Sequence, residues 1–147
     1  MKKVLPPTYF FVAIVLTVAI HFVLPLRQWL HFPWRLLGLF PIGFGIALNL
    51  VADQVFKRRG TTVKPFEVSK ALVTDGVYGL SRHPMYLGMV SIILGIALLL
   101  GSLLPFGVVV LLALLFDHLF IGPEERILED TFGDAFRDYK DRVRRWI

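Results

Sequence analysis

The sequence predicts an all-α integral membrane protein, with about four transmembrane helices followed by a C-terminal amphipathic helix on the cytosolic side. Three observations carry that prediction. Hydrophobic residues fill 56% of the 147 positions and the mean hydropathy is +0.67, against roughly 45–50% apolar content in ordinary soluble domains. Long uncharged runs recur along the chain, the first two of bilayer length and the last two rather short for a hydrocarbon core of about 30 Å. The basic residues between them then fall on one side. Of sixteen Lys and Arg, only Arg27 and Arg35 lie in the connection after the first apolar run; Lys2, Lys3, six from Lys57 to Arg82 and six from Arg126 to Arg145 share the other side of a chain that crosses four times. Cytoplasmic loops carry such an excess, so both termini are expected in the cytoplasm, and a prokaryotic plasma membrane suits the pattern. The net charge of +5 is thereby assigned to membrane orientation, and no nucleic-acid partner is expected. With no cysteine in the chain, disulfides, thiolate metal sites and cysteine nucleophiles are excluded, and no metal site is expected.

The first span is read over residues 8–26, retained because no small-x-small cleavage site follows Lys2 and Lys3. Its polar intruder, His21, is read as satisfied by a neighbour or by interfacial water. Residues 27–35 form a short outer connection whose Trp29 and Trp34 suit the interface. The second span covers 36–56. Gly43-Phe44-Gly45 lacks the third glycine and the preceding strand of a dinucleotide loop, so helix packing explains it better. Asn49 and Asp53 share a face at its inner end; Asp53 is either a buried functional carboxylate or a partner of Lys57, Arg58 and Arg59. Residues 57–83 are polar, broken by Gly60, Pro65 and Gly76, yet interleaved with Val63, Phe66, Val68, Leu72, Val73, Val77 and Tyr78. That argues for a cytosolic lid or wall. The third span, 84–100, carries Gly88, Ser91 and Gly95, with Ser102 beyond it, as a small-residue stripe for close helix approach. The fourth covers 105–121. Gly122-Pro123 is expected to end it and start a new helix with Glu124 and Glu125 in the first turn. Leu128, Phe132, Ala135, Phe136, Tyr139, Val143 and Trp146 then recur on one face through 122–147.

The stretch from Gly76 to Gly88 gathers the chemistry. Pro84 is placed to open a helix, with Ser81 or His83 near its cap. The N–H groups of Met85, Tyr86 and Leu87 would then face the cytosol as an anion site. Because the third and fourth spans form a hairpin, Arg82-His83-Pro84 and Glu124-Glu125 lie at adjacent mouths. Together they offer N–H groups for an anion, carboxylates for an ammonium or ribose hydroxyls, and Tyr78 and Tyr86 as faces for a cation. S-adenosylmethionine carries a carboxylate, an ammonium, a ribose and a sulfonium; a nucleotide or a lipid head group meets many of the same groups. Asp117 and His118, at the inner end of the fourth span, join Glu125 as candidate proton acceptors, the other reading of Asp117 being an ion pair with a basic loop residue.

The run Leu72-Val73-Thr74-Asp75-Gly76-Val77-Tyr78, then Arg82-His83-Pro84-Met85-Tyr86-Leu87-Gly88, then Glu124-Glu125 and Phe132-Gly133 with Tyr139 and Val143, resembles the isoprenylcysteine carboxyl methyltransferase family and its phospholipid methyltransferase relatives. The resemblance covers about residues 57–145. It implies one membrane-embedded methyltransferase domain whose cofactor region is 57–83 and 122–147. S-adenosylmethionine would be held there by Lys70, Ala71, Leu72, Val73, Tyr78, His83, Pro84, Met85, Tyr86 and Glu124, with Arg82 and Glu125 beside them. The acceptor, an isoprenylcysteine-like carboxylate or a phospholipid amine, would enter from the bilayer. Enzymes acting on prenylated cysteine carry an arginine four residues before the first glutamate; Phe120 stands here, which weakens that assignment without touching the cofactor. The chain is short, so the substrate tunnel is either differently walled or completed by a second copy. Two other readings stand beside this one: an NADPH-dependent reductase of the sterol-reductase type, which shares the arginine-histidine-proline-x-tyrosine turn but usually has Asn where Met85 stands, and a non-catalytic membrane scaffold.

Overall fold

A computed structural model describes residues 5–24, 28–60 and 71–147. Helix α1, Pro6–Val23, opens on a proline, whose missing N–H has no intrahelical partner at that position. A 3₁₀ turn at Trp34–Gly38 runs straight into α2, Leu39–Arg58, making one apolar run of 25 residues that outlasts the expected 36–56 at both ends. Helix α3, Pro84–Leu100, ends on Gly101 at φ 74°, the left-handed closure that glycine allows. Helix α4 is Pro105–Phe116. Among the described residues three helical runs, Pro6–Val23, Trp34–Arg58 and Pro105–Phe132, are long and apolar enough to cross a membrane. The 17 residues of α3 rise only about 25 Å, somewhat less than a hydrocarbon core of about 30 Å. That helix is the most enclosed of the four, packed by α1, α2 and α4.

The expected stripe on α3 is the seam with α2. A Cβ added at Gly45 would strike the Gly88 carbonyl and lie 2.7 Å from Ile92 Cγ1, and one at Gly95 would strike the Gly38 carbonyl. The two backbones therefore touch, which is how helices gain van der Waals contact where lipid removes any hydrophobic preference. Ser91 instead bonds its own helix at the Leu87 carbonyl (2.8 Å), and Ser102 meets His21 Nδ1 at 2.6 Å. His21 is thus satisfied by a neighbour. Arg35 caps α3 from the 3₁₀ turn before α2, donating to the Leu99 and Leu100 carbonyls at 2.6 and 2.8 Å.

Two expectations for the C-terminal half are corrected. Gly122-Pro123 does not end the helix: a π-turn at Asp117–Ile121 leads into α5, Gly122–Phe132, and the run from Pro105 is continuous over 28 residues. The Gly122 N–H reaches back five residues to the Asp117 carbonyl, and the widened turn accommodates Pro123, which lacks an N–H and crowds the preceding turn. The break falls at Gly133 instead, at φ 54° and ψ −122°, a conformation costly for any residue with a Cβ. One expected amphipathic helix is therefore two, α5 and α6 (Asp134–Arg142), and the helix ends at Val143, whose backbone is extended.

Candidate functional site

Arg82, His83, Glu124 and Glu125 meet where α3 begins and α4 passes into α5. His83 occupies the N-cap of α3 without capping it by its side chain; its N–H donates to Ser81 Oγ at 3.2 Å. The ring is thereby left between the glutamates, Nε2 3.3 Å from Glu125 Oε1 and Nδ1 3.7 Å from Glu124 Oε2. Arg82 Nη2 lies 2.8 Å from Glu125 Oε1, with both side chains no more than 7% exposed. Arg145 Nη2 donates to the other oxygen, Oε2, at 2.7 Å. Glu125 is thus held from three directions, the arrangement a buried carboxylate needs. Glu124 accepts from the Tyr86 hydroxyl at 2.6 Å.

Beneath these polar groups lies an aromatic floor. The Tyr86 ring packs on Phe116 and Phe120 at centroid distances of 5.0 and 6.2 Å, and Tyr9 closes edge-on against Phe120 at 5.4 Å. Such pairs fill space with little water access. A second wall forms around Tyr78, buried with Ala52 and Val73 and packed by Phe56 and Met85. The Tyr139 hydroxyl donates to the Tyr78 carbonyl at 2.6 Å, tying α6 to the turn at Gly76–Gly79. Burial pushes both phenols above the usual tyrosine range, so Tyr139 remains a donor at any working pH. Tyr139→Phe should remove one buried bond worth about 0.5–1.5 kcal/mol and lower the melting temperature in detergent by about 2–4 °C; an unchanged melting curve would remove Tyr139 from the tie.

The sequence-predicted residues divide clearly. Pro84 and Val73 are buried, Ala71 and Leu72 half-buried, and Met85 half-buried against the Tyr78 wall; Lys70 lies outside the described residues. The Leu87 N–H is taken by the His83 carbonyl at 3.1 Å, so it does not face an anion. Asp117 lies 3.2 Å from Arg145 Nη1 through both oxygens, an ion pair with the C-terminal segment and not with the loop. His118 turns away, its side chain 83% exposed. Asp53 pairs with Lys57 at 2.5 Å and Asn49 donates to the Gly45 carbonyl at 2.9 Å, which explains both without chemistry. Arg145 was not anticipated. Its only signal is the basic run Arg142-Val143-Arg144-Arg145, in which nothing marks that Arg144 is exposed while Arg145 is half-buried and paired.

Fold and site together define a small all-helical integral membrane protein with an enclosed, ion-paired site at one end of its bundle. The phospholipid methyltransferase family matches residues 34–135, and the chain belongs to that family. An uncharacterised protein of Haemophilus influenzae is 41% identical over 63 residues, 43% of this chain and all of that one. The protein-S-isoprenylcysteine O-methyltransferase of Schizosaccharomyces pombe is 38% identical over 72 residues, 49% of this chain and 30% of that enzyme. The solved structure of a eukaryotic intramembrane Ras methyltransferase, isoprenylcysteine carboxyl methyltransferase, shares the fold at a TM-score of 0.67 and 24% identity, across 96% of this chain and 51% of that one. The chain thus spans about half or less of the two methyltransferases it matches.

Proposed function

We propose that the chain catalyses S-adenosylmethionine-dependent methylation of a lipophilic acceptor at the cytosolic face of the membrane. The observation that carries this reading is the cluster of Arg82, His83, Tyr86, Glu124 and Glu125, which lies inside the family match. The donor set fits the cofactor. Arg82 Nε is buried and has no hydrogen-bond partner among the described residues, a donor suited to the cofactor's carboxylate. His83 adds a second group for that carboxylate, and Glu124 is a matching acceptor for its ammonium or ribose. Tyr78 and Tyr86 contribute faces for a cation. The family match favours this reading over a nicotinamide reductase. The orientation rests on the basic residues: among the described ones, Lys57, Arg58 and Arg59 close α2, Arg82 stands just before α3, and six from Arg126 to Arg145 follow the π-turn.

When bound, S-adenosylmethionine supplies a methyl on a sulfonium, transferred to a lone pair of the acceptor as the sulfur keeps the bonding pair. The protein's part is then to align the acceptor and exclude water, which together lower a barrier by several kcal/mol. None of the three candidate bases is well placed: Glu125 and Asp117 are each held by arginine, and His118 points outward. This favours an acceptor whose lone pair is free before transfer, either a carboxylate, which gives an ester with no proton to release, or an amine already neutral, whose ammonium product gives its proton to water afterwards.

Titrating S-adenosylhomocysteine into the protein in detergent tests the reading. Binding should weaken about tenfold in His83→Ala and in Glu124→Ala, about 1.4 kcal/mol each. A folded wild type that binds no S-adenosylhomocysteine but does bind a reduced nicotinamide would replace this reading with the reductase.

A further inference from the structure

Arg145 lies on the C-terminal segment that follows α6, far in sequence from every other member of the site, yet it is the residue on which three elements converge. Its Nη2 donates to Glu125 Oε2 at 2.7 Å, and its Nη1 lies 3.2 Å from both oxygens of Asp117, on the π-turn. The backbone around it is bound as well. Ser81 Oγ donates to the Arg145 carbonyl at 3.2 Å, and the Arg82 N–H donates to the Arg144 carbonyl at 3.1 Å. Trp146 packs against the cluster that holds Tyr86, Phe116 and Phe120. The segment therefore crosses the mouth of the site like a strap, pinned at the turn that opens α3 and at the π-turn before α5.

We propose that Arg145 is a positioning residue for the cofactor site. By holding one oxygen of Glu125, it leaves the other to orient Arg82 and His83, and by bridging to Asp117 it fixes the strap against the helix that carries both glutamates. This rests on the reading given under Proposed function. The planar fork of arginine lets separate nitrogens hold the two carboxylates at once; a lysine has three donors but on a single nitrogen, without that spread.

The test compares Arg145→Gln and Arg145→Lys with Arg142→Gln, an exposed basic residue outside the site. Two readouts are taken: hydrogen–deuterium exchange of the peptide spanning Arg82 to Leu87 in ligand-free protein, and S-adenosylhomocysteine affinity by calorimetry. Arg145→Gln should speed exchange about fivefold and weaken affinity about tenfold, with Arg145→Lys intermediate in both and Arg142→Gln unchanged. Exchange and affinity within twofold of wild type in Arg145→Gln would overturn the proposal. If Arg145→Gln does not fold, Arg145→Lys decides: wild-type values in both readouts overturn it. A wild type that binds no S-adenosylhomocysteine removes the methyltransferase reading, while the exchange data on ligand-free protein still decide whether Arg145 positions the turn.

Discussion

Glu125→Ala is expected to destabilise the protein by about 3–5 kcal/mol, the cost of removing one partner of a buried ion pair, and to abolish S-adenosylhomocysteine binding. Domains of this kind have total stabilities of about 5–15 kcal/mol, so the loss is a large fraction of the whole. Glu125 is the shared acceptor of Arg82, His83 and Arg145. Without it, the Arg82 side chain, 7% exposed, keeps a buried charge opposite a second arginine with no carboxylate between them. Glu125→Gln should cost less, since the amide oxygen still accepts one bond while its NH₂ faces a donor it cannot satisfy. The decisive measurement is a thermal or denaturant unfolding series on Glu125→Ala, Arg82→Ala and the double variant. The double variant should be more stable than the sum of the single losses predicts, because removing both partners leaves no uncompensated charge. Strict additivity, or a Glu125→Ala melting temperature equal to wild type, would show that Glu125 is not the anchor of the cluster.

The helical, membrane-embedded fold was legible because a bilayer admits little besides helices, while the ends of the helical runs were not, since the second and the last extend past the expected bounds. The adjacency of Arg82-His83-Pro84 to Glu124-Glu125 was legible as well, since two spans joined at Gly101-Ser102 must bring their other ends together. What was not legible depended on direction rather than depth. Asp117 and His118 are neighbours at the same depth, but consecutive helical residues point about 100° apart, so one meets Arg145 and the other faces outward. The π-turn shifts that register further, and no side-chain pattern announces a five-residue backbone bond. Gly133 was visible as a glycine, yet the apolar repeat ran through it from Leu128 to Phe136 and masked the break. Arg145 was hidden in a basic run whose evident reading was membrane orientation, although buried glutamates require a counter-charge from somewhere in the chain.

The second large effect is expected from the α2–α3 seam, and it links packing to the site. Gly45→Val should cost about 3 kcal/mol or more, at or beyond the upper end for overpacking, because the first atoms it meets are backbone and cannot rotate away. An added Cβ there strikes the Gly88 carbonyl and crowds Ile92. Gly88 lies one turn beyond Pro84, so a displacement at that point moves the start of α3, and with it His83 and Tyr86. Gly95→Val strikes the Gly38 carbonyl in the same way, but two turns further from the site. The two substitutions should therefore destabilise similarly while differing in binding: Gly45→Val should weaken S-adenosylhomocysteine affinity markedly, Gly95→Val only slightly. Gly43→Ala is the control, since a Cβ at Gly43 meets nothing within 4 Å, and relieving a glycine inside a helix should be neutral or stabilising by about 0.5–1 kcal/mol. Equal losses of affinity at Gly45 and Gly95 would mean that the seam supports the fold as a whole. Unequal losses would mean that the first turns of α3 are held at the site specifically by the contact between Gly45 and Gly88, and that close helix packing in the membrane sets the geometry of the charged groups above it.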